Sequence, residues 1–241
     1  MTVREKMLLD KEGLLQQGPI NIVILGDSVS HAAFNDYQDY EAVYWTRLQR
    51  KLYAVRNYVP INMICASVGG TVAKDALSRL ARDVLCHRPE LVIVCFGLND
   101  VNGTKEEYLS SLKEIFTRCK AAGSDVIFLT PNMLNTSVES GTPERYVAYA
   151  HVTAEMQNSG KMDTYIYAAA ELARNMGVTV CDAYSEWKKL AEKENITLRL
   201  SNRINHPTEQ MHALFADMLF DIIMGGGESE KKASDDTMYH G

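Results

Sequence analysis

Apolar residues follow two alternating patterns along the chain. Short, almost uninterrupted apolar runs stand at 20–26 (INIVILG), 61–67 (INMICAS), 91–97 (LVIVCFG), 125–130 (DVIFLT) and 178–183 (VTVCDA). Runs of this length without polar alternation predict strands buried on both faces. Between them, apolar residues recur every three or four positions, which predicts helices. Val72, Ala73, Ala76, Leu77, Leu80, Ala81 and Val84 form one such stripe, and Tyr108, Leu109, Leu112, Ile115, Phe116 and Cys119 form another. Helices are also expected over 40–55, about 160–176, 183–194 and 208–223, the last with Met211, Leu214, Phe215, Met218, Leu219 and Ile222 on one face. Strand–helix alternation of this kind predicts a parallel sheet covered on both sides, joined by right-handed crossovers.

Neither a repeat nor a break in composition divides residues 1–224, so they are expected to form one domain. Residues 225–241 (GGGESEKKASDDTMYHG) lose the apolar periodicity and read as a flexible tail. The longest connection, 131–160, is expected to shape a binding site, with a short helix around Arg145–Glu155.

Composition narrows the partners. Of 241 residues, 46% are hydrophobic and 23% charged, as in globular proteins. A net charge of -6 provides no electrostatic drive toward nucleic acid or an anionic membrane. No apolar run is long enough for a membrane span, and the first residues carry scattered charges instead of a signal-peptide core, so a cytoplasmic protein is expected. Five cysteines (Cys65, Cys86, Cys95, Cys119 and Cys181) form no CxxC pair and read as reduced thiols. No HExxH or paired Cys/His spacing suggests a metal, and no phosphate-binding GxxxxGK or GxGxxG motif is present.

The candidate chemistry lies at the carboxyl ends of the expected strands, where open parallel sheets bind ligands. The first strand runs into Gly26-Asp27-Ser28, the second into Ser67-Val68-Gly69-Gly70-Thr71, and the third into Gly97-Leu98-Asn99-Asp100. His206 precedes the last helix, where Pro207 suits a helix start. Ser28 offers a nucleophile, His206 a base, and the glycine turn and Asn99 offer hydrogen-bond donors for an oxyanion. Asp27 is expected to brace the turn. Each piece also has a plainer reading: Ser28 as a helix cap, Gly69-Gly70 as a turn, Asn99-Asp100 as a capping pair, His206 as a loop histidine. His212, inside the last helix, reads as a surface residue.

In this order, the segments resemble the GDSL-type, or SGNH, hydrolase family. ILGDSVS resembles its first block, CASVGGTVAKD its second, FGLNDV its third and NHPTEQMH its last. The resemblance implies a flavodoxin-like three-layer α/β/α sandwich with a five-stranded parallel sheet, no cofactor and action on carboxylic esters. It implies Ser28 as nucleophile, His206 as base, and the Ser28 N–H, Gly70 N–H and Asn99 side chain as the oxyanion hole. The family's last block is usually Asp-x-x-His, but Arg203 stands three residues before His206. A guanidinium has no acceptor and cannot orient an imidazole. A carbonyl in the Ser201–Asn205 loop is the expected substitute, with Asn202 the alternative third member.

A small acyl ester, an acetyl group on a carbohydrate, is the expected substrate, because 131–160 is mixed and polar. A lipase or acyl-thioesterase of the same family, and a binding module that kept the fold but lost turnover, are the alternatives.

Overall fold

The computed structural model describes residues 1–225; the expected tail, from residue 226 onward, lies outside the described residues. Five strands form one parallel sheet: β1 (Ile20–Gly26), β2 (Ile61–Cys65), β3 (Leu91–Cys95), β4 (Asp125–Leu129) and β5 (Thr179–Cys181). Their order across the sheet is β2-β1-β3-β4-β5. β1 is therefore flanked on both sides, with Ile24 opposite Cys65 on β2 and Ile93 on β3. Ile22, Val23, Ile24 and Leu25 have no exposed surface. That explains why the run lacks polar alternation: each face of the strand meets a helical layer.

Two helical layers cover the sheet. α1 (Val3–Met7), α3 (Tyr44–Val55) and α9 (Glu209–Met224) pack on one face. α4 (Ala73–Asp83), α5 (Lys105–Ala121) and α7 (Lys161–Asn175) pack on the other. Burial follows the stripes: Leu112, Ile115, Phe116 and Cys119 of α5, and Phe215, Ala216 and Leu219 of α9, are fully buried. Each fully buried large aliphatic side chain contributes roughly 1.5–3 kcal/mol. This is the three-layer α/β/α architecture with a five-stranded parallel sheet.

The boundaries differ from expectation in instructive places. β3 stops at Cys95 because Gly97 has φ +144, outside the range of a strand. α3 starts at Tyr44, since residues 40–43 form turns. The connection after β4 is not mainly loop: α6 (Val147–Asn158) fills its second half, longer than the short helix expected there. Two helices were not foreseen, α1 and α2 (Lys11–Gln17). Both are too short for an apolar stripe, but their caps are written in the sequence. Thr2 and Glu5 close a reciprocal capping box, and Asp10 accepts from the Gly13 N–H. Lys6 fixes α1 to the amino-terminal edge of the sheet, donating to Glu90 and the Pro19 carbonyl.

Gly26 ends β1 where no side chain fits. A Cβ there would stand 2.5 Å from Ser30 Oγ and 2.7 Å from the Cys95 carbonyl oxygen. Gly26→Ala should therefore destabilise the protein by about 1–3 kcal/mol, the usual cost of overpacking. Urea denaturation checks this; an unchanged midpoint would contradict it.

Candidate active site

The chain leaves β1 in a tight turn. The His31 N–H donates to the Asp27 carbonyl at 2.9 Å, and the Ala33 N–H donates to the Ser28 carbonyl at 2.9 Å. Asp27 is buried, and its Oδ1 accepts from the Val29 N–H at 3.0 Å. The Ser28 side chain caps no helix, since the next one begins at Tyr44 behind Val43. The hydroxyl faces a cleft of about 510 Å³ instead.

The second and third strand ends reach the same cleft. Gly70 sits at φ +77, a left-handed position suited to glycine. Gly69 lies over Ser28, close enough that a Cβ on it would be 3.7 Å from Ser28 Cβ. Neither the Ser28 nor the Gly70 N–H has a hydrogen-bond partner among the described residues. Asn99 caps nothing: its Nδ2 donates to the Thr71 carbonyl at 3.0 Å, which leaves one amide hydrogen for the cleft it lines. Asp100 joins the two loops, its Oδ1 accepting from the Ala73 N–H at the start of α4 at 2.8 Å. Asp27 and Asp100 each hold one buried carboxyl oxygen without a partner among the described residues. Burial raises the Asp27 carboxyl to about 7, with Asp100 adding repulsion, and burial raises Asp100 to about 6.

His206 comes from the other end of the chain. Its Nε2 lies 3.0 Å from Ser28 Oγ, and its Nδ1 lies 2.5 Å from the Phe34 carbonyl oxygen. The orienting group is thus a main-chain carbonyl, but not one in the Ser201–Asn205 loop. It belongs to the turn after β1. Nor is Asn202 beside the imidazole. Its Oδ1 accepts from the backbone N–H groups of Ile204, Asn205 and His206, and its Nδ2 donates to Asn205 Oδ1. Asn202 therefore shapes the loop that carries His206, while Arg203 turns back onto the Leu198 and Leu200 carbonyls. Burial lowers the His206 pKa, and the Phe34 carbonyl opposes part of that shift. His212 is not a surface residue: it is fully buried between α9 and α3.

Sequence reasoning missed the far wall of the cleft. His31, Asp36 and Tyr37 line it from the turn after β1, and Arg145, Tyr146 and Tyr149 from the connection after β4. Arg145 pairs with Asp36 across this wall. The only advance signal was the length and polarity of 131–160. Phe34 acts through its backbone, which leaves no mark in a residue pattern. No group of three or more His, Cys, Asp or Glu side chains stands ready for a metal among the described residues.

The fold is a three-layer α/β/α sandwich with a polar cleft at the carboxyl ends of its strands. A family model, the GDSL-like Lipase/Acylhydrolase family, matches residues 24–214, and the chain belongs to that family. Among solved structures, it is similar to Axe2, an acetylxylan esterase from Geobacillus stearothermophilus (TM-score 0.67, 17% identity, 85% of this chain and 94% of that one). It is equally close to LAE5, an alpha/beta hydrolase enzyme from the metagenome of Lake Arreo, Spain (TM-score 0.67, 21% identity, 86% and 95%). These two likenesses concern the fold. In sequence, the chain is 32% identical over 95 residues to the uncharacterized lipoprotein YqeF of Bacillus subtilis (strain 168). That match spans 39% of this chain and 37% of YqeF, little more than a third of the relative's length. No helix among the described residues is long and apolar enough to cross a membrane.

The buried carboxyl of Asp27 sets a pH dependence. The folded chain keeps its proton up to about pH 7, whereas the ordinary value is 3.8. Between these values the folded form binds more protons than the unfolded one, so the stability that Asp27 contributes falls as pH rises through the window. Asp27→Asn has no such proton. The melting temperature of the wild type, minus that of Asp27→Asn, should decline from pH 4 to about 7 and then level off. Thermal melts across pH 4–9 measure it; a difference independent of pH would refute a raised Asp27.

Proposed function

We propose that the protein is a serine esterase that removes a small acyl group, acetyl, from a carbohydrate. The observation that carries this reading is the placement of the His206 imidazole between the Phe34 carbonyl and the Ser28 hydroxyl. A carbonyl oxygen only accepts, so the imidazole proton must sit on Nδ1. The Nε2 lone pair then faces Ser28 Oγ, ready to take its proton. Ser28 attacks the ester carbonyl, and His206, now protonated, donates to the leaving alcohol. Water then attacks the acyl-enzyme by the same route in reverse. The Ser28 and Gly70 N–H groups and the Asn99 amide are the donors for the oxyanion, and such preorganised donors are commonly the largest catalytic contribution. Asp27 braces the turn that carries the nucleophile.

The shape of the cleft supports a sugar on the alcohol side. Tyr37, Tyr146 and Tyr149 expose large parts of their rings around it, and Asn35, Gln38 and Asn205 supply amides. Flat rings interleaved with amides suit the mixed faces of a pyranose, whereas a long acyl chain needs a continuous apolar wall. A cytoplasmic setting is supported by five free thiols, although the Bacillus relative is named a lipoprotein.

Ser28→Ala and His206→Ala should each lower kcat for p-nitrophenyl acetate by on the order of 10³-fold or more. A fluorophosphonate probe should label the wild type at Ser28 and spare Ser28→Ala. Full hydrolysis by pure Ser28→Ala would overturn the mechanism, and failure of both labelling and turnover in the wild type would mark a binding module. Because burial depresses the base, kcat/KM should rise with pH through a midpoint below about 6.5, the ordinary imidazole value. A midpoint above it would remove His206 from that role.

Acyl preference is tested by a p-nitrophenyl ester series from acetyl to octanoyl. kcat/KM should fall steadily along it. A preference for octanoyl would make the enzyme a lipase or thioesterase instead.

A further inference from the structure

The Phe34 carbonyl holds the imidazole, and the turn that carries it is closed by its own main-chain bonds, from the Phe34 N–H to the Tyr37 carbonyl and from the Asp39 N–H to the Ala32 carbonyl. Between β1 and α3 its only ladder contact is a single bridge, Ala33 with Gln38, and Ala32 adopts φ +61, unusual for a residue with a side chain. Ser30 ties the start of the turn to Tyr44 and Trp45 of α3, and at the carbonyl itself the side-chain anchor is the Phe34 ring, which is buried. Its outer neighbour, Tyr37, is half exposed and stacks at 5.9 Å. Its inner neighbour is His212, at 4.9 Å between ring centroids.

His212 is fixed from several sides. Its ring stacks on Tyr44 at 6.0 Å and an interplanar angle of 7°, and meets Phe215 edge-on at 6.1 Å. Its Nδ1 accepts from the Tyr44 N–H at 3.3 Å, the first amide of α3, where Val43 provides no side-chain cap. Accepting there requires Nδ1 to be unprotonated, which matches a pKa lowered by burial, and further by Arg47 and His206, to about 3. The ring is thus neutral and locked at working pH, joining α9, α3 and the turn.

We infer that His212 is a positioning residue for the reaction: its ring, tilted 47° against that of Phe34, sets the Phe34 side chain, and so the carbonyl that fixes the tautomer and orientation of His206. The inference rests on the proposed roles of Ser28 and His206. It extends them, because His212 touches neither the substrate cleft nor the reacting atoms. A misplacement of about 1 Å in such a support can cost on the order of 10²-fold in rate.

Two variants separate the ring from its hydrogen bond. His212→Gln keeps an acceptor for the Tyr44 N–H but removes the ring that packs against Phe34. His212→Phe keeps the ring and loses the acceptor. His212→Gln should lose about 10- to 100-fold in kcat for p-nitrophenyl acetate with KM changed less than about twofold. It should also weaken the downfield proton resonance of His206 Nδ1–H. His212→Phe should stay within about threefold of wild type on every measure. The reverse order, or a His212→Gln enzyme with wild-type kcat, would overturn the inference. So would a His212→Gln loss confined to KM with the resonance unchanged. If His212→Gln does not fold, Phe34→Ala carries the same test: the carbonyl remains but its anchor is gone, and wild-type kcat there would overturn the inference equally. The resonance reads the geometry without turnover, so failure of the Ser28 assignment would show as activity in Ser28→Ala while the His206 signal persisted.

Discussion

The proposed chemistry depends on one hydrogen bond, the Nδ1 proton of His206 on the Phe34 carbonyl oxygen. Without an acceptor there, the imidazole could carry its proton on either nitrogen, and half of its chemistry would point the wrong way. The partners are 172 residues apart in sequence. Their meeting depends on the last helix lying against α3 and on the turn after β1 reaching across to it. The sheet enters the same constraint, because β1 must be flanked by two strands to bring Ser28 to the middle of the edge where His206 arrives.

The acceptor is a neutral dipole, and that shapes the electrostatics around it. A carboxylate in its place would stabilise the imidazolium and raise the pKa of the base; a carbonyl does so more weakly. Burial therefore prevails and His206 stays below the ordinary value. Negative charge beneath the site is restrained in the same way. Asp27 and Asp100 are buried carboxyls whose pKa values are raised, so they hold protons at pH values where surface carboxyls have lost them. Below about pH 6, little fixed negative charge beneath the cleft then opposes the oxyanion of the proposed reaction.

Much of the fold was legible because burial on two faces leaves a distinct trace: uninterrupted apolar runs for β1, β3 and β4 and three-to-four spacing for α4, α5 and α9, whereas β2, expected to be buried on both faces, is a sheet edge with Asn62 exposed. Ser28, Gly70, Asn99 and His206 were singled out because small or polar residues follow such runs abruptly, and the structure brings all four to one cleft. What escaped notice has physical reasons. α1 and α2 are held by caps and by Lys6, not by a stripe. Arg145 and Asp36 meet only through tertiary packing. His212 looked like a surface residue because a single histidine in an amphipathic helix cannot reveal that it plugs the amino end of another helix. Phe34 contributes an atom that every residue has.

That last property has a consequence for how the site tolerates change. A side-chain carboxylate can be erased by one codon substitution, whereas a peptide oxygen survives any replacement at its position. Vulnerability therefore shifts from the accepting group to the packing and spacing that place it. Adding or removing one residue between Ser28 and Tyr44 would carry the acceptor out of reach even if every named side chain were kept, and the segment's length becomes the inherited quantity that protects the chemistry.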